Sequence, residues 1–356
     1  MKHVAIVGSQ GVPAQYGGFE TLVENIIGKN CSPGIQYTVF CSAVDYDTHP
    51  QTYKGARLKY IKHLHANGIG STPYDIVSLM HCLRGYDAVV VLGVSGCVCL
   101  PAFRMLYRKR LIVNIDGLEH RRAKWGRLAR WFLRLSEAMA VRWADVTVVD
   151  NKGIEDYVTD TYERPSTLIA YGGDHVMRTM TEERQQDILR KYGLERHRYA
   201  LSICRIEPEN NCHMTLEAFA RSGRELVFVG NWERSDYGRE LKRRYEARPN
   251  IKLLTSIYDL DMLYALRRNA EVYVHGHSAG GTNPSLVEAM FFGRPILCYD
   301  VVYNRETTHG EAYYYSDSES LSAQLGRTDL DGEPMRRIAE KEYTWKHIAE
   351  QYESLY

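Results

Sequence analysis

The sequence predicts an α/β protein made of two doubly wound domains, and three observations carry that prediction. Short apolar runs recur along the chain with helical stretches between them, the pattern of strands buried on both faces of a parallel sheet. The runs form two series separated by a polar break that opens on Gly172-Gly173. The 356 residues are enough for two separate cores.

In the first series strands are expected at 3–8, 37–41, 58–62, 88–94, 111–115, 146–149 and 167–170. In the second they are expected at 200–204, 226–230, 251–254, 271–275 and 296–299. The break between them, 172–196, holds a charged helix at 182–192. At the far end Trp345, Ile348, Tyr352 and Leu355 form a helical apolar stripe that must pack on something. No repeat of solenoid period and no low-complexity segment interrupts the pattern.

Composition excludes several classes. Apolar content of 44% and charged content of 25% are ordinary for a globular protein. A net charge of +1 argues against a dedicated nucleic-acid binder. The opening MKHVAIVGSQG reads as a strand running into glycine, without the apolar core and cleavage site of a secretory signal. No apolar run approaches the roughly 18 residues a membrane span needs. The eight cysteines lack paired CxxC spacing and read as reduced core residues, which fits a cytoplasmic location.

The stretch HGHSAGGTNPSLVEAMFFGRPILCYD, 275–300, is the organising motif. It reads as strand, glycine-rich turn, helix, turn, strand. Asn283 suits the N-cap, Pro284 the first helical position and Gly293 the stop. Unpaired N–H groups and a partial positive charge at such a helix start favour phosphate. Gly280 and Gly281 let backbone approach a ligand, and Glu288 lies about one turn further on, within reach of a sugar hydroxyl.

Other candidate segments follow strands, so they fall at carboxyl ends where doubly wound folds bind ligands. The first loop, Gly8 to Gly11 and then Gly17-Gly18-Phe19-Glu20, has the wrong spacing for a dinucleotide fingerprint. Asp116-Gly117-Leu118-Glu119-His120 offers two carboxylates and a histidine for hydroxyl binding or proton handling. Arg205, in RIEPENN, can clamp a diphosphate, with Asn210 and Asn211 adding polar contacts. Three Asp-x-Asp pairs (Asp45/Asp47, Asp259/Asp261, Asp329/Asp331) lack a convincing strand-end setting, so no metal site is expected.

Between Pro101 and Asp145 eleven Lys and Arg stand against four Asp and Glu. In the helix there, Leu128, Trp131, Phe132, Leu135 and Met139 form an apolar stripe beside Arg127, Arg130 and Arg134. A basic, Trp-bearing amphipathic helix can lie on an anionic membrane. The segment from Arg121 to Arg142, which includes Arg122 and Lys124, is therefore a candidate membrane contact. A core-facing helix with a solvated charged side is the alternative.

These motifs together resemble retaining GT-B glycosyltransferases of glycosyltransferase family 4. More narrowly they resemble the rhamnosyltransferase-like subgroup of bacterial polysaccharide biosynthesis. The resemblance rests on GSQGVPAQYGGFETLVENI, DGLEHRRAKW, RIEPENN, GGTNPSLVEAM and WKHIAEQYESLY, and it spans the whole chain. It implies two Rossmann-like domains facing across a cleft: an acceptor-side domain over 1–174, a nucleotide-sugar domain over 175–340, and a closing helix over 341–356 that returns to the first.

It also implies roles. Asp116, Glu119 and Arg205 are the expected catalytic residues. Gly17, Gly18, Arg205, Asn210, Gly280, Gly281, Thr282, Asn283, Pro284, Ser285 and Glu288 are expected at the donor, with Glu288 on the ribose. The family commonly has a lysine five positions after the arginine, where this chain has Asn210. It commonly has a glutamate eight positions before the second glutamate, where this chain has Gly280. The expected reaction moves a hexose, L-rhamnose from dTDP-rhamnose in the first instance, to a glycan or lipid-linked oligosaccharide with retention. Cofactor and metal are expected to be dispensable, and the enzyme to work in the cytoplasm at the inner face of the membrane. A UDP-hexose donor, an epimerase or hydrolase, and a non-catalytic nucleotide- or glycan-binding module are the alternatives.

Overall fold

A computed structural model describes residues 1–15, 17–62, 72–121 and 125–356. Tyr16, Arg122 and Lys124 of the sequence motifs lie outside the described residues. The chain divides into two compact units, Met1–Tyr171 with Trp345–Tyr356, and Gly172–Thr344.

The first unit is built on eight strands: β1 (Lys2–Val7), β2 (Ile35–Ser42), β3 (Thr52–Tyr53), β4 (Ala56–Ile61), β5 (Ala88–Leu92), β6 (Arg110–Asn114), β7 (Val146–Val149) and β8 (Thr167–Leu168). Their order is β3-β4-β2-β1-β5-β6-β7-β8, parallel except for β3 against β4. The run AVVVL of β5 is buried throughout, as a strand covered on both faces requires.

The second unit has β9 (Tyr199–Ile203), β10 (Glu225–Val229), β11 (Ile251–Leu254), β12 (Val272–His275), β13 (Ile296–Tyr299) and β14 (Tyr313–Tyr315). Their order is β11-β10-β9-β12-β13-β14, all parallel. All twelve strands expected from the sequence are present; β3 and β14 are additional.

The apolar stripe at the chain end packs within the first unit. Trp345, Ile348 and Tyr352 of the helix Trp345–Glu353 are buried in one core cluster with Leu22, Val23 and Ile26 of the helix Gly18–Lys29. Asn114 Nδ2 donates to Tyr352 Oη at 2.6 Å, and Cys31 N–H donates to Glu353 Oε1 at 2.8 Å. All eight cysteines are free thiols.

One expected face is different. The helix Arg127–Trp143 buries Leu133, Ser136, Glu137, Ala140 and Val141. Leu128 and Trp131 of the expected stripe are 84% and 65% exposed. The reason is polar anchoring. Glu137, almost fully buried, accepts from Tyr157 Oη at 2.8 Å and Tyr162 Oη at 2.7 Å, and lies 3.0 Å from His120 Nδ1. Ser136 donates to the Val94 carbonyl at 2.5 Å. Satisfied polar groups can occupy a core face that a hydrophobic pattern assigns to leucines. Among the described residues no helix is long and apolar enough to cross a membrane.

Candidate functional site

In the second unit strand order reverses between β9 and β12, since β10 and β11 extend to one side and β13 and β14 to the other. Such a reversal leaves a crevice at the carboxyl ends of the two strands. Arg205–Asn211 follows β9 there, and Gly276–Ser278 follows β12.

The two loops are tied together. Asn211 Nδ2 donates to the Gly276 carbonyl at 2.9 Å, and the Ser278 N–H and hydroxyl both donate to the Glu209 carbonyl at 2.8 Å. Asn210 Nδ2 donates to the Arg205 carbonyl at 2.7 Å, and Asn210 Oδ1 lies 2.9 Å from His277 Nδ1. A carbonyl can only accept, so the amide orientation is fixed and Nδ1 of His277 must carry a hydrogen. Asn210 is therefore buried with both ends of its amide engaged. It braces His277 and the Arg205 turn. The Arg205 side chain is 39% exposed, with Nε 3.9 Å from Glu207 Oε2, so its guanidinium faces outward from the strand end.

The glycine turn follows. Gly280 sits at φ +109°, and a Cβ built there would stand 3.4 Å from His277 Nε2. Thr282 is buried, with its hydroxyl 3.5 Å from that of Thr307. Asn283 caps the helix Pro284–Met290 as the sequence predicts, its side-chain oxygen accepting from Ser285 N–H at 3.0 Å and Ser285 Oγ at 2.8 Å. Glu288 is held from two sides. Arg267 NH2 bonds Glu288 Oε2, and His175 Nε2 lies 3.5 Å from Glu288 Oε1. Burial holds the His175 imidazolium pKa below its usual value, against the pull of the Glu288 charge.

The first unit gathers other expected residues. Asp116 follows β6 in the left-handed region, φ +60°, where its N–H donates to Asn114 Oδ1 at 2.8 Å. Tyr171 Oη donates to Asp116 Oδ1 at 3.4 Å, and a Cβ at Gly18 would stand 3.6 Å from the same oxygen of Tyr171. Gly18 and Asp116 thus share Tyr171 as a neighbour. Gly17, at φ +139°, leaves room for Glu20, whose Oε2 would be 1.9 Å from a Cβ at that position. Glu20 Oε1 accepts from Gln10 N–H at 2.8 Å, and burial raises its carboxyl pKa, with Asp116 and Asp45 adding repulsion. Glu119 turns aside to accept from Trp125 Nε1 at 3.0 Å.

Sequence reading missed Tyr171, Arg267, His175 and the bracing of His277. Only His277 carried a signal, its place one turn before the glycines. Of the Asp-x-Asp pairs, Asp259 caps the helix Leu260–Asn269 and Asp329 pairs with Arg327.

Residues 184–345 match the model of glycosyltransferases group 1, and residues 1–174 match a domain of unknown function, DUF1972. The chain has the GT-B fold of two parallel-sheet domains, and its residues 184–345 carry a glycosyltransferase group 1 domain. Solved structures share the fold over its full length. Sucrose-phosphate synthase from Thermosynechococcus elongatus superposes with TM-score 0.83 at 16% identity, covering 100% of this chain and 98% of its own. Anabaena HepE in complex with UDP-glucose gives 0.75 at 15%, covering 100% and 99%. An α,α-trehalose-phosphate synthase (UDP-forming) from Burkholderia xenovorans in complex with glucose-6-phosphate gives 0.73 at 11%, covering 100% of both. No curated protein matches this chain in sequence.

Proposed function

We propose that this chain is a glycosyltransferase of family 4 that moves a hexose from a nucleotide diphosphate sugar to a glycan hydroxyl with retention. The observation that carries the reading is Arg205, an outward-facing guanidinium at the carboxyl end of β9, beside the point where strand order reverses. Structural neighbours with this fold are solved with UDP-glucose or with glucose-6-phosphate, which supports a nucleotide-sugar donor and a sugar acceptor respectively.

The chemistry asks little of a nucleophile. The bond to the anomeric carbon already ends in a diphosphate, a good leaving group. Arg205 stabilises the charge that grows on it, and the backbone of Gly280, Gly281, Thr282 and Asn283 with Pro284 and Ser285 surrounds the sugar side. Glu288 accepts from a ribose hydroxyl. Gly17, Gly18, Asp116 and Glu119 serve the acceptor. No metal or cofactor enters this scheme.

L-Rhamnose from dTDP-rhamnose is the donor this reading favours, in building cell-surface polysaccharide. A UDP-hexose is the second reading, favoured by the UDP-glucose bound in HepE. The acceptor is a glycan or lipid-linked oligosaccharide at the inner, cytoplasmic face of the membrane. The exposed Leu128 and Trp131, interleaved with Arg127, Arg130 and Arg134, support peripheral contact there.

A thermal-shift screen of nucleotides and nucleotide sugars tests the reading. A ligand that binds only the folded state raises the melting temperature with the logarithm of its excess over Kd. The expected result is a shift with dTDP or UDP and their sugars. No shift with any nucleotide diphosphate at millimolar concentration would contradict it.

A further inference from the structure

Arg267 lies in the helix Leu260–Asn269 and its side chain is 3% exposed. Its NH2 bonds Glu288 Oε2, while Nε and NH1 have no hydrogen-bond partner among the described residues. A guanidinium so buried, with two nitrogens unsatisfied, is a poor device for stability. Replacing buried ion pairs by apolar groups is often neutral or stabilising, whereas removing one partner leaves an uncompensated charge. The pair makes better sense as a way to fix one carboxylate. Glu288 keeps 16% of its side chain exposed, so the carboxylate is anchored at the back and presented at the front. His175 Nε2, 3.5 Å from Oε1, limits its swing on the other side.

We infer that Arg267 is a positioning residue for ligand recognition: it holds Glu288 in the rotamer that accepts a hydrogen bond from a ribose hydroxyl of the bound nucleotide. The inference rests on the proposed role of Glu288 and adds to it a residue that does not touch the ligand. A carboxylate held by a buried guanidinium loses less freedom on binding than one that must find its rotamer.

The test compares dTDP with 3′-deoxy-dTDP, and UDP with 3′-deoxy-UDP, by calorimetry on the full chain. The wild type should prefer the hydroxylated nucleotide by about tenfold or more, the scale of one hydrogen bond to a charged group. Arg267→Gln should erase most of that preference, as Glu288→Gln does, and Arg267→Lys should restore part of it. Affinity for the 3′-deoxy nucleotides should change little. A purely structural role would lower both affinities together and leave the preference intact. Arg267→Gln with full preference would overturn the inference. A wild type without preference would overturn the Glu288 reading itself, and the inference with it. If Arg267→Gln does not fold, Arg267→Met/Glu288→Gln takes its place. It should bind like Glu288→Gln within about twofold, because no carboxylate remains to be positioned. A further tenfold loss would show that Arg267 acts on the ligand directly and would overturn the positioning role.

Discussion

His277 Nδ1 lies 2.9 Å from the amide oxygen of Asn210, whose nitrogen donates to the Arg205 carbonyl at 2.7 Å. One buried amide therefore couples the turn that carries Arg205 to the turn that precedes the glycines. Asn210→Ala leaves a buried N–H and a carbonyl without partners, at a cost of about 1–3 kcal/mol in folding stability. It should also weaken donor binding, since both turns lose their register. Asn210→Lys should not strengthen the site, because an ammonium has no acceptor for the His277 hydrogen. Denaturant titration and donor KM for both variants check this; a lysine variant with a lower KM would contradict it.

Gly280 stands where the resemblance to family 4 places a glutamate. Its φ of +109° is one that L side chains rarely adopt, although a Cβ there would only touch His277 Nε2, at 3.4 Å. Gly280→Ala and Gly280→Glu should therefore both reduce kcat/KM, by about tenfold for the backbone conflict alone if it costs about 1–2 kcal/mol. A glutamate variant that matches the wild type would show that the turn adapts.

Asp75 lies in the first unit, buried beneath the loop after β5, where Ser95 donates to its carboxylate. Burial pushes its pKa up to about 6 from 3.8. The folded value lies above the unfolded one, so its contribution to stability is fully present below pH 3.8 and lost as pH rises through 6. The difference is worth about 3 kcal/mol. Asp75→Asn removes that dependence. Urea unfolding should show the variant gaining on the wild type by up to about 3 kcal/mol between pH 4 and pH 8. Parallel pH profiles would contradict the raised value.

Leu128 and Trp131 are exposed on a helix whose buried face lies elsewhere. Replacing both by glutamate should leave the melting temperature within about a degree or two, as surface changes do. Flotation with vesicles containing anionic lipid should fall at least about tenfold, the scale of two lost apolar insertions. Unchanged flotation, or wild-type protein that ignores anionic lipid, would remove the membrane role.

Strands were legible because buried parallel strands are near-continuous apolar runs, and β5 is a pure case. β14 was not, since Tyr313–Tyr315 is aromatic and polar at once and borrows its burial from β13. The helix Arg127–Trp143 misled because Ser136 and Glu137 sit in the core with partners up to 42 residues away in sequence. A separation of 21 residues hides Arg267, which reads as a surface arginine near a helix end until Glu288 is brought against it. The cap at Asn283 was legible because it is local: residue and partner are two positions apart.

Arg205 carries the central claim, and the initial rate of nucleotide diphosphate release from dTDP-rhamnose or UDP-glucose, with a glycan acceptor present, tests it most directly. Arg205→Ala should fold normally and lose at least about 100-fold in kcat/KM, because a charge-assisted contact to the leaving group is worth most as the bond breaks. Arg205→Lys should recover only part of that. An alanine variant within about threefold of the wild type on a donor the wild type turns over would contradict the account.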